Sequence, residues 1–308
     1  MFAFATLILP QGTSMSIKNI HNNIREKHLF GFGSQTLVVR VDDRDQREWL
    51  VDTPICNSLN DYRIAHCGIA EATHPFEIVR MNLSGTFFFA CLEGEGHVLV
   101  DGEWRSVGAG QACLQPPFIP NALKAQKRKK WKLCWVRYQP APQKQSVLSL
   151  HAPALGMFDA APLHFAIEGL HSETSQRASI HMLRKWAELV HSYVQSFSQP
   201  FHGDKRLMAV WQAVENRLDE DWSLARLAQI ACVSKEHLRR LCASTLGRSP
   251  IQHVTFLRMQ HAAELLATTD HKIAQIANRV GYVNQFAFSD TFQRWLGCRP
   301  STYRNQNK

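Results

Sequence analysis

The stretch LARLAQIACVSKEHLRRLCASTLGRSP, Leu224 to Pro250, is followed after a spacer by IAQIANRVGYVNQFAFSDTFQRWLGCRP, Ile273 to Pro300. The two align with a period of 50 residues: Leu238 on Phe288, Leu246-Gly247 on Leu296-Gly297, Pro250 on Pro300. Upstream, Leu227-Ala228 falls on Ile276-Ala277, with one extra residue in the second turn. A repeat this short is one supersecondary unit used twice.

Each copy reads as helix, tight turn, helix. In the first, Ser223 caps a helix from Leu224 to Ala231, Cys232-Val-Ser makes the turn, and Ser234 caps a helix that Gly247 stops. In the second, Ile273 to Val280 leads through Gly281-Tyr-Val-Asn284 to a helix from Gln285 to Leu296. Small Ala228 and Ala277 permit close approach within each pair. This is the pattern of a helix-turn-helix that offers its second helix to a major groove. Between the copies, Ile251 to Ala267 predicts a spacer helix with Ile251, Val254, Leu257, Leu265 and Leu266 on one face, roughly 25 Å long at the usual rise. That length suits two readers in successive major grooves, about 34 Å apart. One helix pair alone more often means plain packing; two in register on a spacer favour DNA.

Charge agrees. Of a net charge of +9, most lies beyond residue 200, where 15 Lys/Arg face 9 Asp/Glu, and basic residues gain by releasing counterions from phosphates. The eight cysteines have no C-x-x-C spacing and read as reduced, mostly buried thiols. The apolar start, Met1 to Pro10, lacks a basic flank and is too short to span a bilayer. A cytoplasmic, membrane-free protein is expected, with Met1 or Met15 as its first residue.

From Gln35 to Tyr138 short apolar or alternating runs predict strands: Thr36 to Val41, Phe76 to Arg80, Thr86 to Leu92, His97 to Val100 and Leu133 to Tyr138. Turn residues separate them: Glu93-Gly-Glu-Gly96, Asp101-Gly102, Gly108-Ala-Gly110 and Pro116-Pro117. Residues 139–169 show no sustained period and read as a connecting segment. Ile180, Leu183, Ala187, Val190, Val194 and Phe197 then form a helical stripe, widened by Trp186, Leu189 and Tyr193, that is a candidate dimer face or a face packed on its own β-half. Ser198 to Gly203 reads as a hinge, and Leu207, Val210, Trp211, Val214 and Leu218 mark a helix over about 204–218. The expected class is α+β multidomain: a β-sandwich or jelly roll over 1–169, a helical dimerisation and linker segment over 170–203, and an all-α domain over 204–308 with helix-turn-helix units at 223–247 and 272–297.

These runs resemble the AraC/XylS DNA-binding domain, above all Leu224 to Leu241, Gly247-Arg-Ser-Pro250, Ala262-Ala-Glu-Leu-Leu266, Val280 to Ser289 and Arg299 to Arg304. The resemblance spans about 100 residues with many fixed spacings. It implies a transcription regulator with base-reading positions at Glu236, Arg239 and Arg240 in the first unit and Gln285, Phe286, Ser289 and Asp290 in the second. Arg239 and Arg240 suit guanine, Glu236 suits cytosine N4, and Gln285 suits adenine. Asp290 departs from the residue type expected there. Lys235, Arg294 and Arg304 are candidates for phosphate or structural roles. Double-stranded DNA, RNA polymerase and a second copy of the chain are the implied partners.

The resemblance makes the β-half a cupin-like jelly roll that senses a small molecule. Metal-dependent cupins use two histidines two residues apart, a carboxylate and a later histidine. Here His97 stands alone and Asn121 occupies the region of the later histidine, so no metal, cofactor or catalytic group is expected. Arg80, Trp104 and Trp135 are the candidate effector contacts, with the alternative that both tryptophans are core. Lys124 to Lys130 is a basic loop, either phosphate-binding or simply solvated. The rival functions are an effector-independent activator or scaffold and a DNA-repair methyltransferase carrying the same reader; the latter needs clustered cysteines, which the chain lacks.

Overall fold

The computed structural model describes residues 26–81, 85–127, 129–140, 155–176, 179–198 and 205–307. Its strands are β1 Glu26–Leu29, β2 Gln35–Arg40, β3 Ile64–Thr73, β4 Glu77–Arg80, β5 Phe87–Val100, β6 Glu103–Gly108, β7 Gln111–Gln115, β8 Asn121–Ala125, β9 Lys130–Tyr138 and β10 Gly156–Met157. The helices are α1 Ala161–Ser175, α2 Ile180–Ser198, α3 Lys205–Asn216, α4 Leu224–Ile230, α5 Lys235–Leu246, α6 Pro250–Thr268, α7 Ile273–Arg279, α8 Gln285–Leu296 and α9 Pro300–Asn307.

Strand β5 organises the β-half. Its first part pairs with β9 and β7, its second part with β6 and β8, all antiparallel. The chain thereby passes from a sheet containing β2, β3, β9, β7 and β10 to one containing β1, β4, β8 and β6. The predicted turn at Glu93 to Gly96 is therefore a bulge within one 14-residue strand. Register slips between Cys91 and Glu93, and Gly94 takes φ +76°; the extra residue bends the strand from one sheet to the other. Gly96 lies under the Trp131 ring, where an added Cβ would stand 2.5 Å from a ring carbon.

Period-two alternation explains the Phe87-Phe88-Phe89 triplet. Phe87 and Phe89 enter the core between the sheets with Phe76, Leu123, Trp131 and Trp135. Phe88 turns the other way, into a second core with Val136, Tyr138, Leu163, Ile167, Val190 and Phe197. That second core requires α1, which occupies part of the segment expected to be a connection. Leu163, Ala166, Ile167 and Leu170 are buried on it at helical spacing, with Pro162 in its first turn; flanking polar and histidine residues hide this short stripe in the sequence. The remainder of that segment over 141–154, hinge residues 199–203 and the two candidate starts lie outside the described residues.

The stripe on α2 packs mainly inward. Ala187, Val190, Val194 and Phe197 are buried, and Leu183, Trp186 and Tyr193 pack against the same core. Leu189 is 41% exposed and Ile180 65%, so the apolar surface left on this helix is narrower than the sequence pattern suggests.

Candidate nucleic-acid interface and effector cavity

The two helix pairs repeat in three dimensions as in sequence: α5 and α8 are 12 residues each, α4 and α7 seven each. Ser223 Oγ accepts from the Arg226 amide at 3.2 Å and Ser234 Oγ from the His237 amide at 3.1 Å. Asn284 Oδ1 accepts from the Phe286 and Ala287 amides at 2.8 and 3.3 Å. Gly247 and Gly297 end α5 and α8 in the left-handed region, at φ +66° and +82°. The turns need the same conformation: Gly281 supplies it at φ +80°, whereas Cys232 adopts φ +53° despite its side chain.

Burial fixes which face is presented. Leu238, Cys242 and Leu246 hold α5 against the first core, and Phe288, Phe292 and Leu296 hold α8 against the second. Glu236, Arg239 and Arg240 are left exposed, as are Gln285, Phe286, Asp290 and Arg294, while Ser289 is half-buried. Glu236 Oε2 lies 3.4 Å from Arg239 Nη1 and holds that guanidinium along the helix. Phe286 is 79% exposed and Val283, in the preceding turn, fully exposed. Val283 escapes sequence reading because a turn residue belongs to neither helical period. Arg304 donates to the His271 carbonyl and so has a structural task.

Helix α6 is the spine of both units. Val254, Phe256 and Leu257 serve the first core, Met259, Ala262, Ala263 and Leu266 the second. Ile251, expected on the buried face, is 41% exposed, because it lies at the first turn, beside the capping box of Ser249 and Gln252.

The β-half reaches both units. The β5–β6 hairpin turns on Asp101 and Gly102, both at positive φ, the two-residue turn its sequence predicts. Arg248, between α5 and α6, donates from Nε and Nη2 to the two Asp101 oxygens at 2.7 and 2.8 Å, and its guanidinium carbon stands 3.9 Å from the Phe256 ring centre. A Cβ on Gly102 would stand 2.4 Å from the Arg294 carbonyl oxygen at the end of α8. Nearby, Tyr303 donates its hydroxyl to the Phe118 carbonyl at 2.6 Å, and Phe118 and Ile119 pack on the second core.

Between the two sheets lies a cavity lined by His28, Phe30, Trp49, Phe76, Arg80 and Trp135, among others. Two expected effector contacts therefore meet. Trp104 does not join them: it lies half-buried on the outer side of its sheet with Val79, Met81 and Ala122, under the Lys124 ammonium at 4.0 Å. The reason is register, since Trp104 on β6 faces away from the space between the sheets. His28 and Trp49 were missed, because neither sits in an apolar alternating run. Of the basic loop, Lys124 is so engaged and Lys129 pairs with Glu95 at 2.6 Å.

Among the described residues no three His, Cys, Asp or Glu side chains gather as a metal site would need, and no helix is long and apolar enough to cross a membrane.

A family model described as a helix-turn-helix domain matches residues 227–306. The MmsAB operon regulatory protein of Pseudomonas aeruginosa is 28% identical over 232 residues, 70% of this chain and 74% of that protein. The RCS-specific HTH-type transcriptional activator RclR of Escherichia coli is 31% identical over 124 residues, 40% of this chain and 43% of that protein. A putative AraC-like transcription regulator of Streptomyces lividans is 37% identical over 83 residues, 27% of each chain. The chain thus spans less than half the length of the latter two.

Proposed function

We propose that this chain is an AraC-type helix-turn-helix transcriptional regulator, which binds promoter DNA through α5 and α8 and adjusts that binding to a small molecule held in its β-half. The observation that carries the DNA part is the pair of capped recognition helices on one shared spine, each with its polar face exposed. Arg239, steadied by Glu236, and Arg240 suit guanine edges, Glu236 itself suits cytosine N4, and Gln285 suits adenine. Phe286 and Val283 are exposed apolar side chains at the start of α8, a type that suits thymine methyl groups. Arg294, at the far end of α8, suits phosphate contact rather than base reading.

The sensing part is supported by a cavity that gathers Arg80 and Trp135, and by a β-half that touches both helix-turn-helix units. Dimerisation through the exposed part of α2, recruitment of RNA polymerase and a cytoplasmic setting belong to the same reading. The second reading, an effector-independent activator, is favoured by the cavity's size: about 20 Å³ of space open to a water's centre, room for about one or two waters.

Selection from a random oligonucleotide pool at moderate ionic strength tests the DNA reading. The expected outcome is one motif with two separated recognition segments. Arg239→Ala then costs about 1–3 kcal/mol on that motif and relaxes one position within it. A pool that returns no preferred sequence overturns the reading. DNA affinity that changes with an added small molecule favours sensor over scaffold.

A further inference from the structure

Laid on one another in the 50-residue register, the two recognition helices carry opposite chemistry. Lys235 of α5 falls on Gln285 of α8, Glu236 on Phe286, Arg239 on Ser289 and Arg240 on Asp290. All of these are exposed except Ser289, which is half-buried. At these positions the first helix turns three cations and one carboxylate outward, the second one carboxylate and no cation. Arg294 stands one turn beyond, near the end of α8, and Lys272 and Arg279 belong to α7 and its cap.

The two carboxylates differ as well. Glu236 Oε2 has Arg239 Nη1 at 3.4 Å, whereas among the described residues no cation pairs with Asp290. Asp290 lies one helical turn beyond Phe286 on the same side of α8, away from Phe288 and Phe292, which anchor the helix in its core. In a major groove an unpaired carboxylate is repelled by the flanking phosphates and by the O6 and N7 acceptors of guanine, and is tolerated where a base offers it a donor. Cytosine N4 is such a donor. Phe286, 79% exposed, and Val283, fully exposed, have no hydrogen-bonding side chain and match the thymine methyl group.

We propose that α8 reads a pyrimidine-bearing strand, with Phe286 and Val283 against a thymine methyl and Asp290 accepting from a cytosine amino group, and that guanine is excluded opposite Asp290. The proposal rests on the reading of α8 as a major-groove helix and specifies the sequence that helix takes. The first half-site carries guanine, because Arg239 and Arg240 can fork onto O6 and N7; the α8 face has no such fork at the matching positions. Asp290 acts by discrimination, since its repulsion from a wrong base outweighs its attraction to the right one in the field of the phosphates. Salt-dependent affinity therefore falls mainly to α5, and rejection of wrong sequences to α8.

Selection from a random oligonucleotide pool with the full-length chain, repeated with Asp290→Ala, Asp290→Arg and Phe286→Ala, tests this. The parent chain is expected to return a second segment with a cytosine and a nearby thymine on one strand. Asp290→Ala loses the cytosine preference and binds sites with another base there about fivefold or more tighter than the parent does. Asp290→Arg exchanges that cytosine for guanine and steepens the salt dependence. Deoxyuridine in place of the thymine removes only the methyl group; it weakens binding by the parent a few-fold and by Phe286→Ala hardly at all. Both residues are exposed, and an unchanged unfolding temperature is the check on folding. A second segment that both Asp290 variants leave unchanged, or parent binding indifferent to deoxyuridine, overturns the proposal while the DNA reading stands. A pool that returns no preferred sequence overturns both.

Discussion

Cys232 sits at the centre of the first helix-turn-helix turn with φ +53°, in a conformation that costs a residue with a Cβ about 1–2 kcal/mol. The corresponding position of the second turn is Gly281, which reaches φ +80° freely. The cysteine is exposed and in no disulfide, its thiol making only a long 4.0 Å contact with the Ile230 carbonyl, so its replacement disturbs little packing. Cys232→Gly is expected to stabilise the DNA-binding half by roughly 0.5–1 kcal/mol, the relief of the backbone exceeding the added unfolded-state entropy. Thermal unfolding of the variant checks this; a lower midpoint would show that the thiol contributes more than the geometry reveals. The exposed positions of α5 and α8 belong to this scale too. Their exposure was legible because each lies between buried helix positions, whereas that of Val283 was not, being outside any period.

Among elements, the β5–β6 hairpin carries the most unusual load. Its two turn residues are those that a tight hairpin demands, and Gly102 has a second duty, because the end of α8 leaves no room for a Cβ. Gly102→Ala therefore combines a left-handed backbone at φ +82° with a clash at the Arg294 carbonyl. The expected result is loss of the hairpin's seat on α8 with the β-core retained. Hydrogen exchange checks it: protection should fall at the β5–β6 turn and at the end of α8 but persist in β3 and β9. Equal exchange in variant and parent at both places would mean that the hairpin is not seated there in solution.

In the whole molecule, the Arg248–Asp101 pair joins the two halves with side chains 4% and 13% exposed. Removing one partner strands the other in a poorly solvated place, a cost of about 3–5 kcal/mol for buried pairs, while replacing both by apolar residues is often neutral. Asp101→Ala is thus expected to uncouple the halves, turning one thermal transition into two, and the double change Asp101→Leu with Arg248→Met to restore much of the coupling. Two unfolding transitions already present in the unchanged chain would count against this pair as the link.

What the sequence determined by itself is local: caps, left-handed glycines, helical and alternating periods, and a 50-residue repeat, all of which act within a few turns of chain. The α5 and α8 faces and the Asp101-Gly102 turn were readable for that reason. Tertiary structure decided what depends on distant partners: that β5 is one bent strand shared by two sheets, that α1 covers the β-half, that Trp104 lies outside while His28 and Trp49 line the cavity, and that a hairpin grips both helix-turn-helix units. These outcomes are set by packing and charge between residues far apart in the chain, whose pairing no local pattern encodes.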